Sequence, residues 1–127
     1  MSIQSKARAL VLFAHGARDP RWAEPFQRLQ LLVQAQSPEL VVKLAFLELM
    51  SPRLPELTSE LVAAGVTEVT VVPVFLGQGG HVRADLPRIV DELQLQYPTL
   101  SFKIVEAVGE NSEVLQAMAT YCVNSLN

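Results

Sequence analysis

A chain of 127 residues, half of them hydrophobic and 18% charged, suits one domain with its own core and is too apolar for extensive disorder. Its formal charge of −3 removes the general basic field expected of a nucleic-acid binder. A single cysteine, Cys122, excludes an internal disulfide and a zinc-type cysteine cluster.

Residues 1–127 read as one α/β domain in which strand and helix alternate. The opening stretch from Met1 to Arg8 is polar, without the apolar core of a signal peptide, and no apolar run approaches the roughly 18 residues of a membrane span. The expected setting is the reducing cytoplasm, with no membrane partner. Ala9–Ala14 is a continuous apolar run, as in a strand covered on both faces. Asp19 then predicts an N-cap with Pro20 at the first helical position, and Trp22, Phe26, Leu29 and Val33 follow at helical spacing until Ser37-Pro38. Leu40–Leu47 predicts a second strand. Ser51-Pro52 opens a helix whose stripe is Leu54, Leu57, Leu61 and Ala64, with Gly65 as its stop.

A third strand runs from about Val66 to Phe75, with pairing expected to weaken at Pro73, which has no N–H to give a ladder. Val82, Leu86, Ile89, Leu93 and Tyr97 mark a third helix, and Leu100–Ala107 a fourth strand. Asn111 caps a last helix bearing Val114, Met118 and Tyr121, on which Cys122 is expected to be buried filler. Four βα units with short connections imply a four-stranded parallel sheet with right-handed crossovers and helices on both faces.

Open α/β sheets bind ligands beyond the carboxyl ends of their strands. At that edge fall His15-Gly16-Ala17-Arg18, then Glu48-Leu49-Met50-Ser51, then Gly77-Gln78-Gly79-Gly80-His81. Both histidines and one glutamate therefore gather on one side of the sheet. Two imidazoles and a carboxylate suit a first-row divalent metal, leave coordination positions open, and can accept protons near neutral pH. The plain alternative makes His15 a strand-end residue and His81 an exposed helix start. Gly77, Gly79 and Gly80 read equally as a flexible turn or as a loop that lets backbone approach a ligand; they do not give the dinucleotide-binding spacing. Arg18, Arg21, Arg53 and Arg83 lie just past strand ends, as a rim for a polycarboxylate or as solvated helix starts. Trp22, Leu49, Met50, Phe75 and Leu76 could offer apolar surface to a flat macrocycle, although Trp22 and Phe75 are equally core candidates and Trp22 reads better as core.

Ala14–Pro20, Phe46–Pro52 and Val72–Pro87 together resemble the class II chelatases, in particular short-form sirohydrochlorin cobaltochelatases with the ferrochelatases as near relatives. The resemblance covers about Leu10 to Val108. It implies a chelatase-like fold, metal ligands or catalytic groups at His15, Glu48 and His81, and tetrapyrrole contacts from Leu49, Met50, Ser51 and Pro52 and from Phe75, Leu76, Gly77, Gln78, Gly79 and Gly80; of the arginine rim, Arg18 and Arg83 are then the residues expected to bind the ring carboxylates. Ala17 stands where serine is common in such proteins, and Gln78 is a variable place. Longer relatives carry two such domains, so the resemblance implies a homodimer here. No tightly bound cofactor is implied: the divalent metal, cobalt, iron or nickel, is a substrate. A non-catalytic carrier of metal or tetrapyrrole is the alternative; a metal-dependent hydrolase is a poorer one, since no nucleophile or phosphate-loop motif is present.

Overall fold

Ala7–Ala14 forms β1, whose apolar run lies at the centre of a parallel sheet ordered β2-β1-β3-β4 in a computed structural model. The structure describes residues 7–77 and 79–127, and the backbone alone for 80–82. The other strands are β2 (Val41–Phe46), β3 (Val66–Pro73) and β4 (Ser101–Ile104); the helices are α1 (Glu24–Gln36), α2 (Leu54–Ala63), α3 (Gly80–Gln96) and α4 (Ser112–Asn124). Among the described residues no helix is long and apolar enough to cross a membrane.

Period-two alternation divides β1 between two cores. Ala9, Val11 and Phe13 face α2 and α3, meeting Leu54, Leu57, Leu61, Leu86, Val90 and Leu93. Leu12 and Ala14 face the α1 side with Leu44, Phe46 and Val74, where Trp22, Phe26 and Leu29 are partly buried. Helices thus cover both faces, as right-handed crossovers to opposite sides of β1 require. Trp22 is half-buried against Phe26 and Phe46, so it serves the second core. The one buried polar side chain among the described residues, Thr58, donates to the Leu54 carbonyl at 2.8 Å.

Three element boundaries and the burial of one residue depart from the sequence reading for local reasons; β3 also ends at Pro73 rather than near Phe75. Asp19 does cap a helix start, accepting from Arg21 N at 2.9 Å, but the helix it caps is a 3-10 turn, Pro20–Ala23. Pro25 cannot donate back to residue 21, so α-helical bonding begins anew with proline in its first turn. Ser51-Pro52 does not open α2: its peptide bond is cis, and the helix begins at Leu54, where Arg53 N donates to Glu56 Oε1 at 2.7 Å and Leu57 N to Arg53 O at 3.0 Å. β4 ends at Ile104 rather than Ala107. Val105 N reaches Val71 O at 3.1 Å, but the next rung of a parallel ladder needs an N–H at residue 73, which Pro73 lacks. Finally, Cys122 is exposed, because α4 does not lie on the sheet.

Two helix-to-strand connections share a device. Gln34 donates to Leu40 O at 2.8 Å and accepts from Val42 N at 3.3 Å, while Gln30 takes Val42 O at 3.0 Å. Gln94 likewise donates to Leu100 O and accepts from Phe102 N at 3.3 Å.

Candidate active site at the carboxyl edge of the sheet

After β1 the chain moves to β2 on one side, then crosses to β3 on the other, so the end of β1 is the topological switch point at which open α/β sheets form a crevice. Three strand-end loops meet there through backbone bonds. Leu47 N donates to Ala14 O at 2.9 Å, Glu48 N to His15 O at 3.1 Å, and Val74 N to Phe13 O at 2.9 Å. His15 and Glu48, distant in the chain, are thereby brought side by side at the backbone.

Gly16 makes this approach possible. It holds φ +102°, and a Cβ there would lie 1.8 Å from the Glu48 carbonyl oxygen. A second glycine fixes the third loop: Gly109 N donates to Phe75 O at 2.9 Å, and a Cβ on it would lie 1.9 Å from Leu76 O. Neither glycine stands out as a site residue in the sequence. The available signal is position, since each comes after a strand at the ligand edge.

The expected site residues distribute unevenly. His15 is exposed, its ring centroid 5.9 Å from that of Phe75 at an interplanar angle of 65°; Phe75 is itself buried and edge-on to Phe13, forming a floor under the imidazole. Glu48 is exposed. His81 lies in the first turn of α3, and its side chain is outside the described residues, as is the whole of Gln78. Among the described residues no group of three histidine, cysteine or acidic side chains clusters as a metal site. Leu49 and Leu76 are 55% and 60% exposed, an apolar pair on the second and third loops. Met50 is half-buried in the α1-side core, Ser51 is exposed, and Pro52 is half-buried with its carbonyl accepting Phe46 N at 2.9 Å. Gly77 is exposed, Gly79 is the N-cap of α3, and Gly80 its first residue.

The arginine rim is only partly available. Arg21 is engaged by Asp19 at 2.7 Å, and its guanidinium holds that carboxyl below the ordinary carboxylate range. Arg83 lies 3.7 Å from Glu110. Arg18 and Arg53 are exposed and form no ion pair among the described residues. A cavity of about 260 Å³ lined by Leu47, Glu48, Arg53, Asp85, Arg88 and Ile89 opens beside Glu48.

Leu49 holds φ +67°, a left-handed conformation that costs a residue with a Cβ about 1–2 kcal/mol. A large apolar side chain kept exposed at such a cost is typical of a contact surface. Leu49→Gly should therefore raise stability by up to about 1 kcal/mol in chemical denaturation, the relieved strain outweighing the added chain entropy. Loss of stability in that variant would show the loop to be unstrained.

The described architecture has counterparts. The CbiX family model matches residues 9–122. A sirohydrochlorin cobaltochelatase of Priestia megaterium is 26% identical over 113 residues, covering 89% of this chain and 37% of that protein. One of Methanothermobacter thermautotrophicus is 33% identical over 89 residues, covering 70% and 62%. The chain thus spans less than two thirds of the length of these curated relatives. Among solved structures, a CbiX protein of Marinobacter aquaeolei VT8 superposes with a TM-score of 0.84 at 28% identity, covering 94% of this chain and 97% of that one. The sirohydrochlorin chelatase SirB of Bacillus subtilis subspecies spizizenii, solved with cobalt, shares the fold at a TM-score of 0.79 and 23% identity, covering 93% and 50%.

Proposed function

The chain belongs to the CbiX family, and from that premise we propose that it inserts a divalent metal into sirohydrochlorin, cobalt first, with iron or nickel as competing substrates. The observation that carries the reading is the backbone pairing of His15 with Glu48 at the switch point, flanked by exposed Leu49 and Leu76. The names borne by the curated relatives support it.

Insertion exchanges two inner N–H protons of the free-base ring for one divalent cation, so the site needs a weakly held metal and two proton acceptors. Neutral His15 and His81 present the metal to the ring, and Glu48 acts as third ligand, proton acceptor or orienter of a histidine. An open coordination set suits a metal that must leave. Leu49, Met50, Ser51, Pro52 and the 75–80 loop support the macrocycle, and Arg18, Arg53 and Arg83 meet its carboxylates. This domain, in the cytoplasm, works as half of a homodimer that closes over the ring.

Initial rates of loss of the free-base absorbance, compared for cobalt, ferrous iron and nickel, test this directly. His15→Ala should slow the reaction by about 100-fold or more, since it removes both a ligand and a proton acceptor. No rate above the uncatalysed control with any of the metals would overturn the enzyme reading. The exposure of both His15 and Glu48 in a single chain favours one second reading, a carrier, which predicts stoichiometric binding of ring or metal without acceleration.

A further inference from the structure

Three residues of β2 turn their backbone groups away from the sheet, and the outer two are met from within the chain. Val42 N donates to Gln34 Oε1 at 3.3 Å, Val42 O accepts from Gln30 at 3.0 Å, and Phe46 N donates to Pro52 O at 2.9 Å. Successive strand residues turn their N–H and C=O to opposite borders. Leu44, midway between Val42 and Phe46, therefore faces the same outer border, while Lys43 and Ala45 carry the ladder to β1. Among the described residues neither backbone group of Leu44 has a partner at that border.

The open pair does not lie on flat surface. Leu44 is only 8% exposed and sits in the wall of a cavity of about 490 Å³ between α1, α2 and the Ser51-Pro52 segment. That volume is within the range of small-ligand pockets. Two charges border it, Lys43 and Glu60, each exposed and without an ion pair among the described residues.

The fold itself shows which chemistry satisfies such a border. Gln34 and Gln94 each use one primary carboxamide to accept from a strand N–H and to donate to the carbonyl two residues earlier. A peptide strand cannot take the place beside Leu44, because the outward groups of Val42 and Phe46 on either side are already engaged. A single amide fits there and a chain does not.

We propose that this border cavity binds a small zwitterionic carboxamide, an α-amino acid whose side chain ends in a primary amide. The carboxamide oxygen accepts from Leu44 N and its NH2 group donates to Leu44 O, while the carboxylate meets Lys43 and the ammonium meets Glu60. A buried donor and acceptor discriminate against any ligand that cannot return both bonds. The occupant would also lie against Ser51 and Pro52, in the loop that carries Glu48 and Leu49. The inference is independent of metal insertion and goes beyond it.

The probe is L-glutamine, titrated into the full chain labelled with nitrogen-15 and followed at the Leu44 amide resonance. A saturable downfield shift is expected, as for an N–H that gains an acceptor. L-glutamate, whose side chain only accepts, should bind about tenfold more weakly, and so should butyramide, which has the amide without the charges. Lys43→Met and Glu60→Gln, both at exposed positions, should each weaken glutamine by about fivefold with an unchanged far-UV spectrum. A Leu44 resonance indifferent to glutamine, either comparison compound binding as tightly as glutamine, or native affinity in both variants would each overturn the proposal.

Discussion

Gly16→Ala should lower the stability of the chain by about 2–4 kcal/mol and the rate of the proposed metal insertion by about 100-fold. The new methyl group would meet a backbone oxygen at 1.8 Å, where no rotamer change can relieve it, and φ +102° is unfavourable for alanine besides. The loops must separate, at the cost of the 3.1 Å bond from Glu48 N to His15 O, worth about 1 kcal/mol. A displacement near 1 Å between catalytic groups costs roughly 100-fold in rate. Thermal unfolding should shift by about 10 °C for a chain of this size. A Gly16→Ala variant that melts with the native chain would mean that the two loops are not in contact.

Gly109→Ala is the second large effect and acts from the other side of the site. Here φ is ordinary, so the cost is steric: the methyl group meets Leu76 O at 1.9 Å and the Leu76 Cα at 2.5 Å. Yielding means moving Phe75 and Leu76 as a unit and losing the 2.9 Å bond from Gly109 N. Phe75 is packed edge-on against both Phe13 and His15, so the shift opens the core and unseats the imidazole together. A loss of about 2–3 kcal/mol is expected, with kcat falling more than metal affinity, since Glu48 is untouched. Equilibrium denaturation and metal titration of the same variant separate the two effects. Full activity in a destabilised Gly109→Ala variant would remove the third loop from the catalytic geometry.

Much of this is legible in the residues. The unbroken run Ala9–Ala14 reads as a strand buried on both faces, and it is the central one; Pro73 still pairs with Phe13 of β1, but its missing N–H ends the ladder to β4. His15 and Glu48 emerge from asking which residues come next after each strand. Contacts made only in three dimensions escape. Gly16 and Gly109 look like ordinary loop glycines until the carbonyls of Glu48 and Leu76 are seen against them. Pro20, Pro25, Pro52 and Pro55 offer several helix starts, and the bond from Arg53 N to Glu56 selects the one with Pro55 in its first turn over the one at Pro52. Cys122 is misplaced by sequence alone because a stripe such as Val114, Met118 and Tyr121 says that a helix has an apolar face, and nothing about which molecule supplies its cover.

The glutamines at the helix-to-strand connections bear on how this chain behaves in a crowded solution. β2 and β4 are the two borders of the sheet, and an open border is a template on which a foreign strand can continue the ladder. Gln30, Gln34 and Gln94 already occupy backbone donors and acceptors along those borders, and Lys43 and Lys103 place a charge on each. Fibrillar growth by strand addition is thus discouraged on both flanks, and any association of copies is directed toward the sheet's faces and helices.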